Sequence, residues 1–134
     1  MSADPDFFIT RKLAKTKQGL SFFAPEALAE YKRCFRNPAT VHAMCEDYRA
    51  GAGIDLEHDR ASRAAGEKIA CDTLVLWGAR GVVEALFDPL ALWQAQCSAR
   101  VSGHALDGGH FLAEELPAQT ASALREFFCA TNGA

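Results

Sequence analysis

The feature that most constrains this chain is an apolar run closed by a glycine, Leu74-Val75-Leu76-Trp77-Gly78, approached through a polar segment that begins at Lys68. A continuous apolar run, rather than an alternating one, suits a parallel strand covered on both faces. Asp88-Pro89 then starts a helix carrying Leu90, Leu92, Trp93 and Cys97. Ala99 to Leu106 reads as a second, weaker strand, interrupted by Ser102 and Gly103. Asp107-Gly108-Gly109-His110-Phe111 forms a loop, and a last helix is expected from about Pro117 to Phe128, with Leu124, Phe127 and Phe128 apolar. Strand, helix, strand, helix is the order that demands a parallel sheet, so the expected class is α/β. Two strands alone make a poor sheet with two exposed edges, which points to missing neighbours.

Before residue 67 the texture is helical. Asp4 is placed to cap a helix with Pro5 at its first position, running through Phe7, Phe8, Ile9 and Leu13 towards the polar Lys15–Gly19 segment. Ala24-Pro25-Glu26 starts a second helix, with Leu28, Tyr31 and Phe35 near helical spacing, and Asn37-Pro38 ends it. Pro38 opens a third, with Val41, Met44, Cys45 and Tyr48 on one face and Gly51 and Gly53 as its stop. The charged, alanine-rich stretch from Asp55 to Gly66 is expected to be a short exposed helix leading into a turn. The division is therefore helical over 1–66 and α/β over 67–134.

Composition removes several functional classes. The 134 residues are 49% hydrophobic and 23% charged, ordinary values for a globular chain. A net charge of -3 gives no sequence-independent attraction for nucleic acid or anionic lipid, so neither is an expected partner. The five cysteines stand singly, and the N-terminus has no basic, apolar leader. They read as reduced, small buried hydrophobes in a cytoplasmic, soluble protein. Histidines and cysteines show no metal spacing, and Gly108-Gly109 is too short for a phosphate loop, so no metal or cofactor is expected.

The residue with the most chemical promise is His110, in Gly108-Gly109-His110-Phe111 between the second strand and the last helix. Open parallel sheets build sites outside the carboxyl ends of their strands. An imidazole held there is placed for general-base work near neutral pH, although a loop histidine taken by position alone is more often a surface group. His42 reads as a helix-surface group, His58 as solvated, and His104 as a strand residue without an expected partner. Trp77 and Trp93 read as core.

With the apolar strand ending in Trp77-Gly78, the segment Gly109-His110-Phe111-Leu112, the pair Glu114-Glu115 and Pro117 resemble the end of the α/β-hydrolase fold. Upstream, Met44-Cys45-Glu46-Asp47-Tyr48-Arg49-Ala50-Gly51, Asp4-Pro5-Asp6-Phe7 and Lys12-Leu13 resemble the helical cap of the haloacetate (fluoroacetate) dehalogenases. The similarity covers nearly the whole chain. It implies the last βαβα of an α/β-hydrolase sheet, preceded by part of a cap domain. It also implies a two-step hydrolysis, in which an aspartate displaces halide from a haloacetate and a histidine activates water to cleave the resulting ester. Within that resemblance His110 matches the water-activating base. Tyr48 matches the cap tyrosine that helps hold the departing halide, and its helix is expected to roof the cleft that His110 faces. As a bare residue, Tyr48 more often packs its ring on its own helix face; the motif reverses that preference. Glu46, Asp47 and Arg49 read as a solvated or salt-bridged face.

The departures from the family pattern are as informative. No glycine-flanked Asp or Ser lies between an apolar strand and a helix, so the nucleophile elbow is missing. The family's oxyanion segment and the histidine-tryptophan pair of its halide pocket are missing too. After Gly78 the loop reads Ala79-Arg80-Gly81-Val82-Val83-Glu84, and of the nearby carboxylates Asp88 fits a helix cap better than an orienting acid. The expectation is a C-terminal portion, inactive alone, from a broken gene or a misplaced start codon. Its expected partners are a haloacid substrate in the complete enzyme, and either a complementary N-terminal half or a second copy of itself. A non-catalytic assembly chain, and an esterase or epoxide hydrolase sharing the same ending, are the alternatives.

Overall fold

A computed structural model describes residues 3–14 and 19–131. The polar segment expected to follow the first helix lies largely outside the described residues. The chain divides into two compact units, Met1–Ala65 and Gly66–Ala134, each taken by itself below.

The first unit is helical. Helix α1 spans Pro5–Leu13, and the Asp4 carboxylate accepts from the Phe7 amide at 2.9 Å, satisfying a donor that no helical carbonyl can reach. Helix α2 spans Pro25–Phe35 and helix α3 Pro38–Gly51, where the Asn37 side chain accepts from the Ala39 amide at 3.0 Å. Proline stands at the first position of all three, where its missing N–H costs nothing. Helix α4 spans Ile54–Ala64, and Gly66 turns the chain with a φ of 70°. Ile9, Leu13, Phe23 and Phe35 are buried, and the Phe8 and Phe35 rings stack 5.5 Å apart. Arg36 grips Asp6 with two parallel hydrogen bonds of 2.6 and 2.8 Å, joining the end of α2 to α1. On α3 the face predicted to be apolar is only half covered: Val41, Met44 and Cys45 are half-buried, and Tyr48 is 63% exposed.

The second unit carries the sheet. Strand β1, Thr73–Gly78, pairs in parallel with β2, Val101–Leu106, in a register that sets Thr73 against Val101 and Gly78 against Leu106. The crossover between them holds α5, Val82–Leu86, and α6, Pro89–Gln94; α7, Leu112–Glu115, and α8, Pro117–Thr131, follow β2. Asp88 caps α6 by accepting from the Ala91 amide at 3.0 Å. Gly103 is required by packing: a Cβ there would lie 1.9 Å from the Val75 carbonyl oxygen of the neighbouring strand.

Several expectations are corrected here. The strands are covered less deeply than expected: only Val75, Gly78 and Leu106 in them are buried, the rest of β1 is half-buried, and His104 of β2 is exposed. Trp93 is not core but 44% exposed, and Trp77 is half-buried. Of the five cysteines only Cys97 is buried; Cys71 and Cys129 are exposed. The helix expected to reach Cys97 stops at Gln94, and the short helices α5 and α7 carried no sequence signal read above. Among the described residues, no helix is long and apolar enough to cross a membrane.

Candidate active site

Both strands of the second unit end side by side, and the loops leaving them are laced together. The Ala79 amide donates to the Leu106 carbonyl at 2.8 Å, and the Arg80 amide to the Gly108 carbonyl at 3.0 Å. This close approach is why Gly78 closes β1: a Cβ on it would lie 1.9 Å from the Gly109 oxygen and 2.7 Å from the Gly108 oxygen. Gly108 is constrained from the other side, since a Cβ there would meet Leu112 Cδ2 at 2.9 Å and Leu116 Cδ1 at 3.0 Å. The loop that carries His110 is thus pressed between a strand end and α7.

His110 itself is exposed, with its ring edge-on to Phe111 at a centroid distance of 5.0 Å. It borders a cavity of about 350 Å³ together with Trp77, Gly78, Val82, Val83 and Leu112. The setting is an imidazole on an apolar-walled hollow at the carboxyl ends of parallel strands, where an open α/β sheet places its chemistry. Among the described residues no carboxylate hydrogen-bonds the His110 ring. Glu84, one of the two acids near in sequence, accepts instead from Trp77 Nε1 on the cavity wall, and Asp88 is committed to its cap.

The carboxylate that does govern the loop is one to which sequence reasoning gave no role. Glu115 accepts from the Gly109 amide at 2.7 Å and from the Phe111 amide at 3.1 Å, one oxygen to each. Its side chain is 5% exposed. Arg80 pairs with Asp107 and reaches to 4.0 Å from Glu115. The signal for Glu115 was a carboxylate four residues beyond Phe111 on a short helix, close to the spacing of a reciprocal helix cap.

Tyr48 belongs to the first unit. Its phenol oxygen accepts from Lys12 Nζ at 3.2 Å, and the same ammonium stands 5.0 Å from the ring centroid. With that lone pair occupied, the phenolic hydrogen is free to point at an anion, beside a positive charge. Lys12 is the neighbour that no reading of the tyrosine alone supplied. His42 is on the helix surface, 3.8 Å from Glu46, and Glu46 pairs with Arg49, so that face is the salt-bridged one expected. His58 and His104 are exposed.

No family model matches the chain. It is 38% identical over 128 residues to fluoroacetate dehalogenase from Burkholderia sp, an overlap of 95% of this chain and 41% of the relative. Among solved structures it is similar to a protein from Nostoc sp PCC 7120 described as an α/β-hydrolase, at 46% identity and a TM-score of 0.86, covering 95% of this chain and 43% of that one. A Pseudomonas aeruginosa protein described as an epoxide hydrolase matches at 39% identity and a TM-score of 0.86, covering 96% of this chain and 43% of that one. The chain therefore spans about two-fifths of the length of these relatives.

Proposed function

Taking as premise that the fold is that of the C-terminal part of an α/β-hydrolase, we propose that this chain supplies the water-activating portion of a haloacetate dehalogenase. In that reaction an aspartate outside these residues attacks the halogen-bearing carbon, its oxygen forms the new bond, and halide leaves. Tyr48, with Lys12 beside it, donates its phenolic hydrogen to the departing anion. His110 then takes a proton from water, and the hydroxide adds to the carbonyl carbon of the aspartyl ester. The ester C–O bond breaks, the hydroxyacid leaves with the proton returned by the imidazolium, and the aspartate is restored. The single observation that carries this reading is the placement of His110: an exposed imidazole on a glycine-held loop at the carboxyl ends of β1 and β2, bordering a cavity. The similarity to fluoroacetate dehalogenase supports the substrate class. The five free thiols fit a reducing, cytoplasmic setting.

The test is halide release from fluoroacetate and chloroacetate, by the chain alone and mixed with the complementary N-terminal portion of the Burkholderia relative. The expected result is no release alone and release in the mixture that His110→Ala abolishes and Tyr48→Phe weakens. Release by the chain alone, or release indifferent to His110→Ala, overturns the proposal. A second reading is favoured by the similarity to the Pseudomonas protein: the same histidine would serve an epoxide or ester substrate. Turnover of an epoxide or an aryl ester, with none of the haloacetates, would select it.

A further inference from the structure

Glu115 is a charge that the proposed chemistry does not use, yet it is nearly sealed from water, with 5% of its side chain exposed. A carboxylate in that position is stable only if its oxygens are satisfied. They are, by the two amides that flank position 110: Gly109 at 2.7 Å and Phe111 at 3.1 Å. Charge-assisted bonds of this kind are shorter and stronger than neutral ones, and here they fix the peptide planes on both sides of the histidine. The carboxylate is itself anchored. The Glu115 amide returns a bond to the Phe111 carbonyl at 2.8 Å, and Thr120 Oγ1 of α8 donates to the Leu112 carbonyl at 3.2 Å. Arg80, leaving β1, stands 4.0 Å away and ties down Asp107 at the start of the same loop.

From this geometry we propose that Glu115 is the positioning residue for His110. Its carboxylate clamps the backbone on either side of the histidine and so fixes where the imidazole projects over the cavity. This rests on the reading of His110 as the base. A base is effective only within hydrogen-bond reach of the proton it takes, and a misplacement of about 1 Å costs on the order of a hundredfold in rate. Glu115 does not line the cavity that His110 borders, so its effect passes through the loop.

The clamp is first measured directly on the unaltered full chain, as scalar couplings across the hydrogen bonds from the Gly109 and Phe111 amide nitrogens to the Glu115 side-chain carbon. Both couplings are expected, and their absence overturns the proposal whatever His110 does. Glu115→Gln should then lower amide-exchange protection at Gly109 and Phe111 by about tenfold or more, the loss of one charge-assisted bond. Val75, Leu76 and Ala105 in the strands should keep theirs. If the strands also lose protection, Glu115→Asp, which keeps the charge but is one methylene short of spanning both amides, replaces it with the same expectation. In the two-part assay, the variant should lower kcat by about tenfold to a hundredfold with KM unchanged. An unchanged kcat, with protection lost at the loop, would leave Glu115 merely structural and overturn its positioning role. If His110→Ala leaves turnover intact while the couplings persist, the reading of His110 fails and the clamp stands. A mixture without any turnover counts against the proposed function, and the couplings still decide the clamp.

Discussion

Replacing Gly78 with alanine puts the joint between the strand ends and the histidine loop under the most direct load. The added methyl carbon would lie 1.9 Å from the Gly109 carbonyl oxygen and 2.8 Å from its carbon. An ordinary carbon–oxygen contact is about 3.3 Å, so the loop must retreat by about 1.4 Å. That retreat stretches the Arg80–Gly108 bond of 3.0 Å beyond useful range and drives the loop into α7, against which it is already pressed. A lost neutral bond costs about 1 kcal/mol net and the overpacking about 2 kcal/mol, giving a loss of about 3 kcal/mol. For a unit of this size the melting temperature should fall by more than about 10 °C. Both tryptophans, Trp77 and Trp93, lie in the affected unit, so urea or thermal unfolding followed by tryptophan fluorescence reports on it. Gly81→Ala is the control in the same unit, because its added carbon meets only the Gly78 oxygen, at 3.2 Å, and its φ is -96°. If Gly78→Ala costs no more than the control, the close approach of the loop to β1 is wrong.

Other expectations follow from the same coordinates. Asp88→Ala should cost about 1 kcal/mol through loss of the α6 cap, read from the urea midpoint, while Asp88→Asn should cost less. Arg33, which donates two hydrogen bonds to Glu30, holds that carboxyl down at about 2, below its ordinary 4.5. A lowered carboxyl stabilises the fold above the ordinary value and loses that contribution as pH falls from 4.5 towards 2; NMR titration of Glu30 should show the low midpoint, and Arg33→Ala should raise it towards normal, the Cys34 hydrogen bond still holding it down in part. Both groups are exposed, so high salt should also erode the shift. A thiol reagent should label Cys71 and Cys129 at once and Cys97, at 4% exposure, only on unfolding.

The local statements in the sequence held because their causes are local. Asp4 and Asp88 each act on an amide three residues away, and the prolines that follow them need only their own fixed φ. The same is true of the apolar run into Gly78 and of the glycines before His110, which mark a strand end and a tight loop wherever they fall. The βαβα order with its parallel pairing was therefore legible, as was the resemblance to a C-terminal α/β-hydrolase segment. Burial was not legible, because it depends on which neighbours arrive. Trp93 and Cys71 are as apolar as Phe35 and Cys97, yet nothing packs over them to the same depth. Nor could the chain announce that Glu115, one of two adjacent glutamates, would turn inward and hold the histidine loop while Arg80 from the other strand end closes on it. Residue type and spacing decided the elements and put an imidazole on a loop; only the packing of α7 against the loop that leaves β2 decided which charge grips that loop, because a contact across the fold has no period in the sequence.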